Sequence, residues 1–217
     1  MEIFFVAIIG ASVGALLARI SAALYARYAL AFTPSPRRAQ IIAAVSAIAF
    51  AVLEISLGLN ARFFFAAIYT AVFLLVAITD LEHRYIFNLV IIPATIFAAL
   101  ASPFSQFGVV RAILGGAIAY ALVFFIYILA PIYARVRHRD IDAPFGFGDV
   151  KLAGFMGIVV GFPAVLNAII FAILLGGAGA ILFLAIQFAR TRKLALDAAI
   201  PYGPFFCIAG WWLMANG

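Results

Sequence analysis

Two aspartates are the residues of this chain best suited to chemistry. Asp80 lies in Thr79-Asp80-Leu81-Glu82-His83, and Asp149 in Gly146-Phe147-Gly148-Asp149-Val150-Lys151; each borders a long apolar run in a chain that otherwise avoids acid. Ionisable groups at the edge of a bilayer are costly to keep, so they are functional candidates by default. Two carboxylates brought together can share a proton and activate water, one as base and the other as acid. Each aspartate also has a plainer reading. An acid near a helix N-terminus is favoured by the helix dipole, which would make Asp149 a helix-entry residue. Asp80, with Glu82, His83 and Arg84 behind it, could belong to a solvated loop of paired charges.

Other chemistries fit less well. His83, Glu82, Asp80 and Asp149 offer a single nearby histidine and no HExxH spacing, so no metal is expected. Cys207 is the only cysteine and falls in an apolar run, which rules out an internal disulfide and a multi-thiolate zinc site and suits a packed thiol. The stretch Gly146–Lys151 is neither a Walker loop nor a dinucleotide fingerprint, and Asp149 would repel an anion there.

The elements that must hold these acids are membrane helices. The chain has 217 residues, 68% hydrophobic and 10% charged, whereas a soluble domain is about half apolar and about a quarter charged. The apolar runs are long and unbroken, unlike the roughly ten-residue alternating strands of a membrane barrel. An all-α polytopic bundle follows, a single integral-membrane domain over 1–217. Eight segments can be drawn, at 3–26, 41–59, 63–79, 87–102, 109–132, 151–161, 164–189 and 201–215. They are separated by turn-forming sequence at Thr33–Pro36, Gly58–Asn60, Ser102-Pro103 and Gly161–Pro163, with the longest polar interruption at 133–149. The sixth is short for a span, since crossing takes about 20 residues.

Charge orients the drawing. With the N-terminus outside, one side collects Arg37, Arg38, Arg84, Arg135, Arg137, Arg139, Arg190, Arg192 and Lys193, with Arg27 and Lys151 at its boundary. The other side holds only Arg62 and Arg111. Lys and Arg accumulate in cytosolic loops, so the expectation is a multi-pass inner-membrane protein with Asp80 and Asp149 at the cytosolic face. The same rule explains the net charge of +6 without nucleic acid. Counting 151–189 as one helix would move the 190–193 cluster outside, which favours eight crossings over seven. Glu54, an acid within the second segment, is expected to pair with Arg62 or a polar neighbour. Met1–Phe5 lacks the basic start of a secretory signal, so the first segment reads as an uncleaved helix.

Three motifs in order sharpen the reading. Gly146-x-Gly148-Asp149-x-Lys151, Asp80 after an earlier helix, and Ile200-Pro201-Tyr202-Gly203-Pro204-Phe205 together resemble the type IV prepilin peptidases, membrane aspartic proteases of the GxGD class. The Gly10-x-x-x-Gly14 region is similar to the family's first helix. The resemblance implies that Asp80 and Asp149 are the catalytic pair. It implies supporting or substrate-binding places for Gly146, Gly148, Lys151, Arg84, Pro201, Gly203 and Pro204.

It implies, further, removal of leader peptides from prepilin or pseudopilin N-terminal segments, as in type IV pilus and secretion systems. Such a substrate would have a basic leader, a small residue before the cut and an apolar helix after it, with membrane lipid as the surrounding partner. No cofactor is expected; S-adenosylmethionine would enter only if an N-methyltransferase activity were retained, and no residues identifiable here carry one. Two departures stand out. Phe87 follows Ile86 where a proline is common, and the segment Thr33–Gln40 lacks the paired zinc-binding cysteines of many members. A reading from another class is a small proton- or cation-coupled transporter using Asp80 and Asp149 as a relay. Neither acid lies mid-span, however, and no inverted repeat of broken helices is evident. Presenilin-like proteases share Gly-x-Gly-Asp, but there the first Asp lies inside a helix in a Tyr-Asp context, unlike Thr79-Asp80.

Overall fold

The computed structural model describes residues 2–136, 146–191 and 201–217. Among these residues the chain forms eight α-helices: α1 (Glu2–Arg27), α2 (Pro36–Leu57), α3 (Ala61–His83), α4 (Asn88–Ala101), α5 (Gly108–Val136), α6 (Phe147–Val160), α7 (Ala164–Thr191) and α8 (Gly203–Asn216). A 3-10 turn, Ser102–Phe104, follows α4. The fold is a helical bundle of the polytopic membrane type, with strongly exposed apolar side chains such as Phe4, Leu100 and Ile181 on its outside.

Local chemistry sets the helix ends. Pro36 opens α2 at a position where its missing N–H is no loss. Gly58 closes that helix with φ 67°, a conformation that side chains disfavour. Asn60 then caps α3, its Oδ1 accepting from the N–H of Arg62 and of Phe63 at 2.8 and 3.1 Å.

Five helices are long and apolar enough to cross a membrane: α1, α2, α3, α5 and α7. The other three, α4, α6 and α8, have 14 residues each, a rise of about 21 Å against a hydrocarbon core of about 30 Å. For α6 the reason is its place. Ten of its residues are buried, so it is enclosed by protein and need not match the bilayer.

Close approach is made possible by small residues. A Cβ on Gly10 would lie 2.7 Å from the Cβ of Phe50, and one on Gly14 2.7 Å from the Cα of Ala43, so α1 and α2 form a tight antiparallel pair. Gly115 of α5 faces the carbonyl of Gly157 in α6 with no room for a side chain. Gly176 and Gly179 of α7 accommodate the rings of Tyr202 and Phe205, while Gly177 faces open space. The main core is built from α3, α4, α5, α6, α7 and α8 around Phe73, Ile91, Phe155, Met156 and Phe206. Helices α3 and α8 run antiparallel through it, with Trp211 Nε1 donating to Thr70 Oγ1 at 3.1 Å.

All eight expected segments are present, with shifted ends: α2 starts at Pro36 instead of residue 41. α3 continues through His83 instead of ending at residue 79, so Asp80 lies inside a helix and not in a loop. α5 reaches Val136 and α6 starts at Phe147, which narrows the interruption at 133–149. Residues 137–145 of that stretch, with Arg137, His138 and Arg139, lie outside the described residues, as do Arg192 and Lys193. The expected pairing of Glu54 with Arg62 is not formed: Glu54 Oε2 is buried without a hydrogen-bond partner among the described residues.

Candidate active site

The C-terminal turn of α3 and the N-termini of α4, α6 and α8 converge at one end of the bundle. Asp80 and Asp149 both lie there. Both are buried, at 5% and 8% exposure, which removes the solvated-loop reading of Asp80. They lie close enough for their charges to interact, and each acts on the thiol of Cys207. Cys207 is buried, its sulfur accepting from the Ala77 backbone N–H, as suits a packed thiol.

The sequence around each acid explains how it is held. Tyr202-Gly203-Pro204 starts α8, and the first amides of any helix have no partner within it. Phe205 and Phe206 donate to the carbonyl of Tyr202, at 3.1 and 3.3 Å, and Pro204 has no N–H to offer. The Gly203 amide is left, and it donates to Asp80 Oδ2 at 3.0 Å. A Cβ on Gly203 would stand 2.6 Å from that oxygen, so glycine is the residue that lets helix α8 begin against the carboxylate. The positive end of the helix dipole adds to the favourable field.

Asp149 sits three positions into α6. Its Oδ2 accepts from the Gly146 N–H at 2.8 Å, and its own N–H donates to the Gly146 carbonyl at 3.0 Å. The helix-entry reading of Asp149 therefore describes one oxygen. It does not describe the other: Oδ1 is buried with no hydrogen-bond partner among the described residues. Buried polar atoms are nearly always satisfied, and an orphan in a native fold needs an explanation. An oxygen kept for a substrate or water is one.

The supporting residues divide by position. Gly148 packs against Ile86, whose Cβ would be 3.0 Å from an added methyl, whereas a methyl on Gly146 would make only ordinary contact, 3.7 Å from Asp149 Oδ2, and Gly146 contributes its amide. Lys151 does not reach the carboxylates by a hydrogen bond; its Nζ donates to Asn88 Oδ1 at 2.7 Å, tying α6 to the start of α4, and lies over the Phe147 ring. Arg84 is exposed, closes α3 in the left-handed conformation and acts on Asp80 through its charge. Pro204 is buried in the first turn of α8, and Pro201 precedes that helix half-buried. Phe87, the departure after Ile86, is 1% exposed and packs among Tyr25, Tyr28 and Tyr85.

Sequence reasoning missed a brace beside Asp80. Arg38 Nε and Nη2 donate to the two oxygens of Glu82 at 2.6 and 2.8 Å, and the Tyr25 hydroxyl donates to Glu82 Oε2 at 2.6 Å. Arg38 also donates to Ser21 Oγ and the Ala18 carbonyl, so α1 and α2 are tied to the last turn of α3, two residues beyond the acid. His83 lies edge-on to Tyr25 with ring centroids 4.2 Å apart. Among the described residues no three His, Cys, Asp or Glu side chains group as metal ligands. Nothing local in the sequence signals the brace, because Arg38 and Glu82 are 44 positions apart.

The fold and the site together define a multi-pass helical membrane protein with two buried, interacting carboxylates at one end of its bundle. A sequence model described as the type IV leader peptidase family matches residues 67–181, more than half of the chain and a span that includes both aspartates. The chain belongs to the type IV leader peptidase family. It is 28% identical over 166 residues to a protein of Bacillus subtilis (strain 168) named prepilin leader peptidase/N-methyltransferase. The alignment covers 74% of this chain and 58% of that relative's length. No solved structure matches the chain.

Proposed function

We propose that this chain is a membrane aspartic endopeptidase that removes leader peptides from prepilin-like or pseudopilin substrates, with Asp80 and Asp149 as its catalytic pair. The observation that carries the reading is the burial of the two acids at one end of the bundle within reach of each other's charge, one oxygen of each bound to a backbone amide and Asp149 Oδ1 unpartnered among the described residues. Like charges held together resist double ionisation, so the pair works with one proton between them. The ionised member takes a proton from water, and the resulting hydroxide attacks the scissile carbonyl. The protonated member donates to that carbonyl oxygen and, as the intermediate collapses, a proton passes to the leaving amine. The roles belong to the pair, and either aspartate can start as the acid.

The Gly203 and Gly146 amides hold the carboxylates so that no rearrangement is needed when charge develops. Arg84, exposed at the end of α3, would meet the substrate backbone or an acidic side chain near the cut. The distribution of Arg and Lys supports a cytosolic position for this end of the bundle in the inner membrane, where the leader of a membrane-inserted substrate lies. The apolar helix after the cut would remain in lipid.

The test is cleavage by the purified protein in detergent, read by mass spectrometry on prepilin-type peptides. Leader removal is expected, together with its loss in Asp80→Asn and in Asp149→Asn. Cleavage that survives either substitution overturns the assigned pair. The same spectrum reads methyl transfer: with S-adenosylmethionine present, a product heavier by one methyl group would add that second activity to the chain.

A further inference from the structure

At the end of the bundle opposite the two acids lies a cavity of about 210 Å³. Its walls are aromatic, with Phe65, Tyr69, Phe104 and Phe107; the charged side chains lining it are Arg62 and Arg111, and Gly217 lines it as well without an ion pair to either. Phe65 and Phe104 are stacked, with centroids 5.8 Å apart, and Phe104 is 72% exposed. This is a site with apolar walls and a cationic rim.

The two arginines stand where a cation is poorly placed. Arg62 is the second residue of α3 and Arg111 the fourth of α5, so each occupies the positive end of its own helix dipole. The N-terminus of α7, at Ala164, opens on the same cavity. Among the described residues neither guanidinium has an ion-pair or hydrogen-bond partner; the ion pair found there is Arg38–Glu82, at the other end. The acids on this side, Glu2 and Glu54, pair with neither. Backbone donors do not explain the arrangement, because the Asn60 side chain already serves the first amides of α3.

Two unpartnered cations and three helix N-termini around one aromatic cavity suit an anion with an apolar body. We infer that this cavity binds an anionic phospholipid, its phosphate between Arg62 and Arg111 and an acyl chain along the aromatic wall. A free phosphate would satisfy the cations but leave the wall of Phe65, Phe104 and Phe107 unused. Charge complementarity of this kind is the usual basis of headgroup selection by basic pockets between membrane helices.

The chain carries its own probe, since its two tryptophans, Trp211 and Trp212, adjoin Leu213, a residue of the cavity wall. The protein is reconstituted in phosphatidylcholine vesicles containing either brominated phosphatidylglycerol or brominated phosphatidylcholine at equal mole fraction, and tryptophan quenching is measured. Phosphatidylglycerol is expected to associate about 10- to 30-fold more strongly, from roughly one cationic contact per arginine. The preference falls towards unity in R62Q/R111Q, and inorganic phosphate at millimolar concentration leaves it unchanged in the parent protein. Both arginines are exposed, so the double variant is expected to fold; R62Q and R111Q separately, each losing several-fold, serve if it does not. Equal quenching by the two lipids overturns the inference, as does a preference that persists in the variants. Abolition of the preference by inorganic phosphate assigns the site to a free anion and overturns the lipid.

Discussion

Gly203→Ala isolates what the α8 N-terminus does for Asp80. The added methyl would stand 2.6 Å from Asp80 Oδ2 and 2.9 Å from its Cγ. Recovering a van der Waals separation of about 3.5 Å requires the oxygen or the helix start to retreat by roughly 0.9 Å. The Gly203 N–H to Asp80 Oδ2 bond, 3.0 Å in the structure, cannot survive such a move, because a donor beyond about 3.5 Å no longer bonds. Losing a hydrogen bond to a charged group costs about 1.5–3 kcal/mol. If Asp80 is catalytic, that loss and the displaced carboxylate lower kcat/KM by about 10- to 150-fold. Backbone strain contributes nothing, since Gly203 is not in the left-handed region. The control is Gly210→Ala, two turns further along α8, where a methyl would press on the flexible Met156 side chain at 2.6 Å and on Phe73 at 3.0 Å. That variant is expected to lower thermal stability while keeping cleavage per folded molecule near the parent value. The assay is initial-rate leader removal in detergent, normalised to folded protein by a thermal-shift measurement. A Gly203→Ala protein with kcat/KM within twofold of the parent, or a Gly210→Ala protein as inactive as Gly203→Ala, would refute the reasoning.

Asp149→Asn is expected to reduce cleavage by about 10²- to 10⁴-fold while leaving the thermal midpoint unchanged or raised: an amide oxygen still accepts from Gly146 and a buried charge is gone. A fall in the midpoint would show that the carboxylate is there for structure. The pH profile of kcat/KM should be bell-shaped, its limbs belonging to the pair, and a profile without an alkaline limb contradicts a shared proton. Arg38→Ala removes the bidentate contact to Glu82 and should cost about 1.5–3 kcal/mol of stability in chemical denaturation. It should also lower kcat more than it raises KM, because the α3 end that carries Asp80 loosens; Arg38→Glu with Glu82→Arg should restore part of both, and no restoration argues against the brace. Gly115→Val is expected to separate α5 from α6 and destabilise by about 1–3 kcal/mol, read as a lower midpoint.

The five long helices were legible because lipid imposes a length and an apolar composition on a span, and the three short ones because turn residues mark the breaks around them. Asp80 and Asp149 were legible for the same reason, as acids against an apolar background. The end of α3 was less so: Thr79-Asp80-Leu81-Glu82-His83 looks like a loop, yet it continues the helix because Asp80 is buried by α8 and Glu82 is held by Arg38 and Tyr25. Lys151 was read as a supporting residue from its motif, and only the fold shows that its ammonium binds Asn88 at the start of α4.

By itself, then, the sequence determined the class of the protein and which residues were costly enough to need a reason. Composition, span length and charge act locally along the chain, so they can be read without coordinates. Only the tertiary structure decided which of those residues meet. Asp80 and Gly203 are 123 positions apart, and their contact depends on a glycine small enough for α8 to start against the acid. Arg62 and Arg111 likewise read as two stray charges until the helix ends bring them around one cavity. Contacts of that kind are set by packing across the bundle, where shape and the absence of a side chain count for more than residue type.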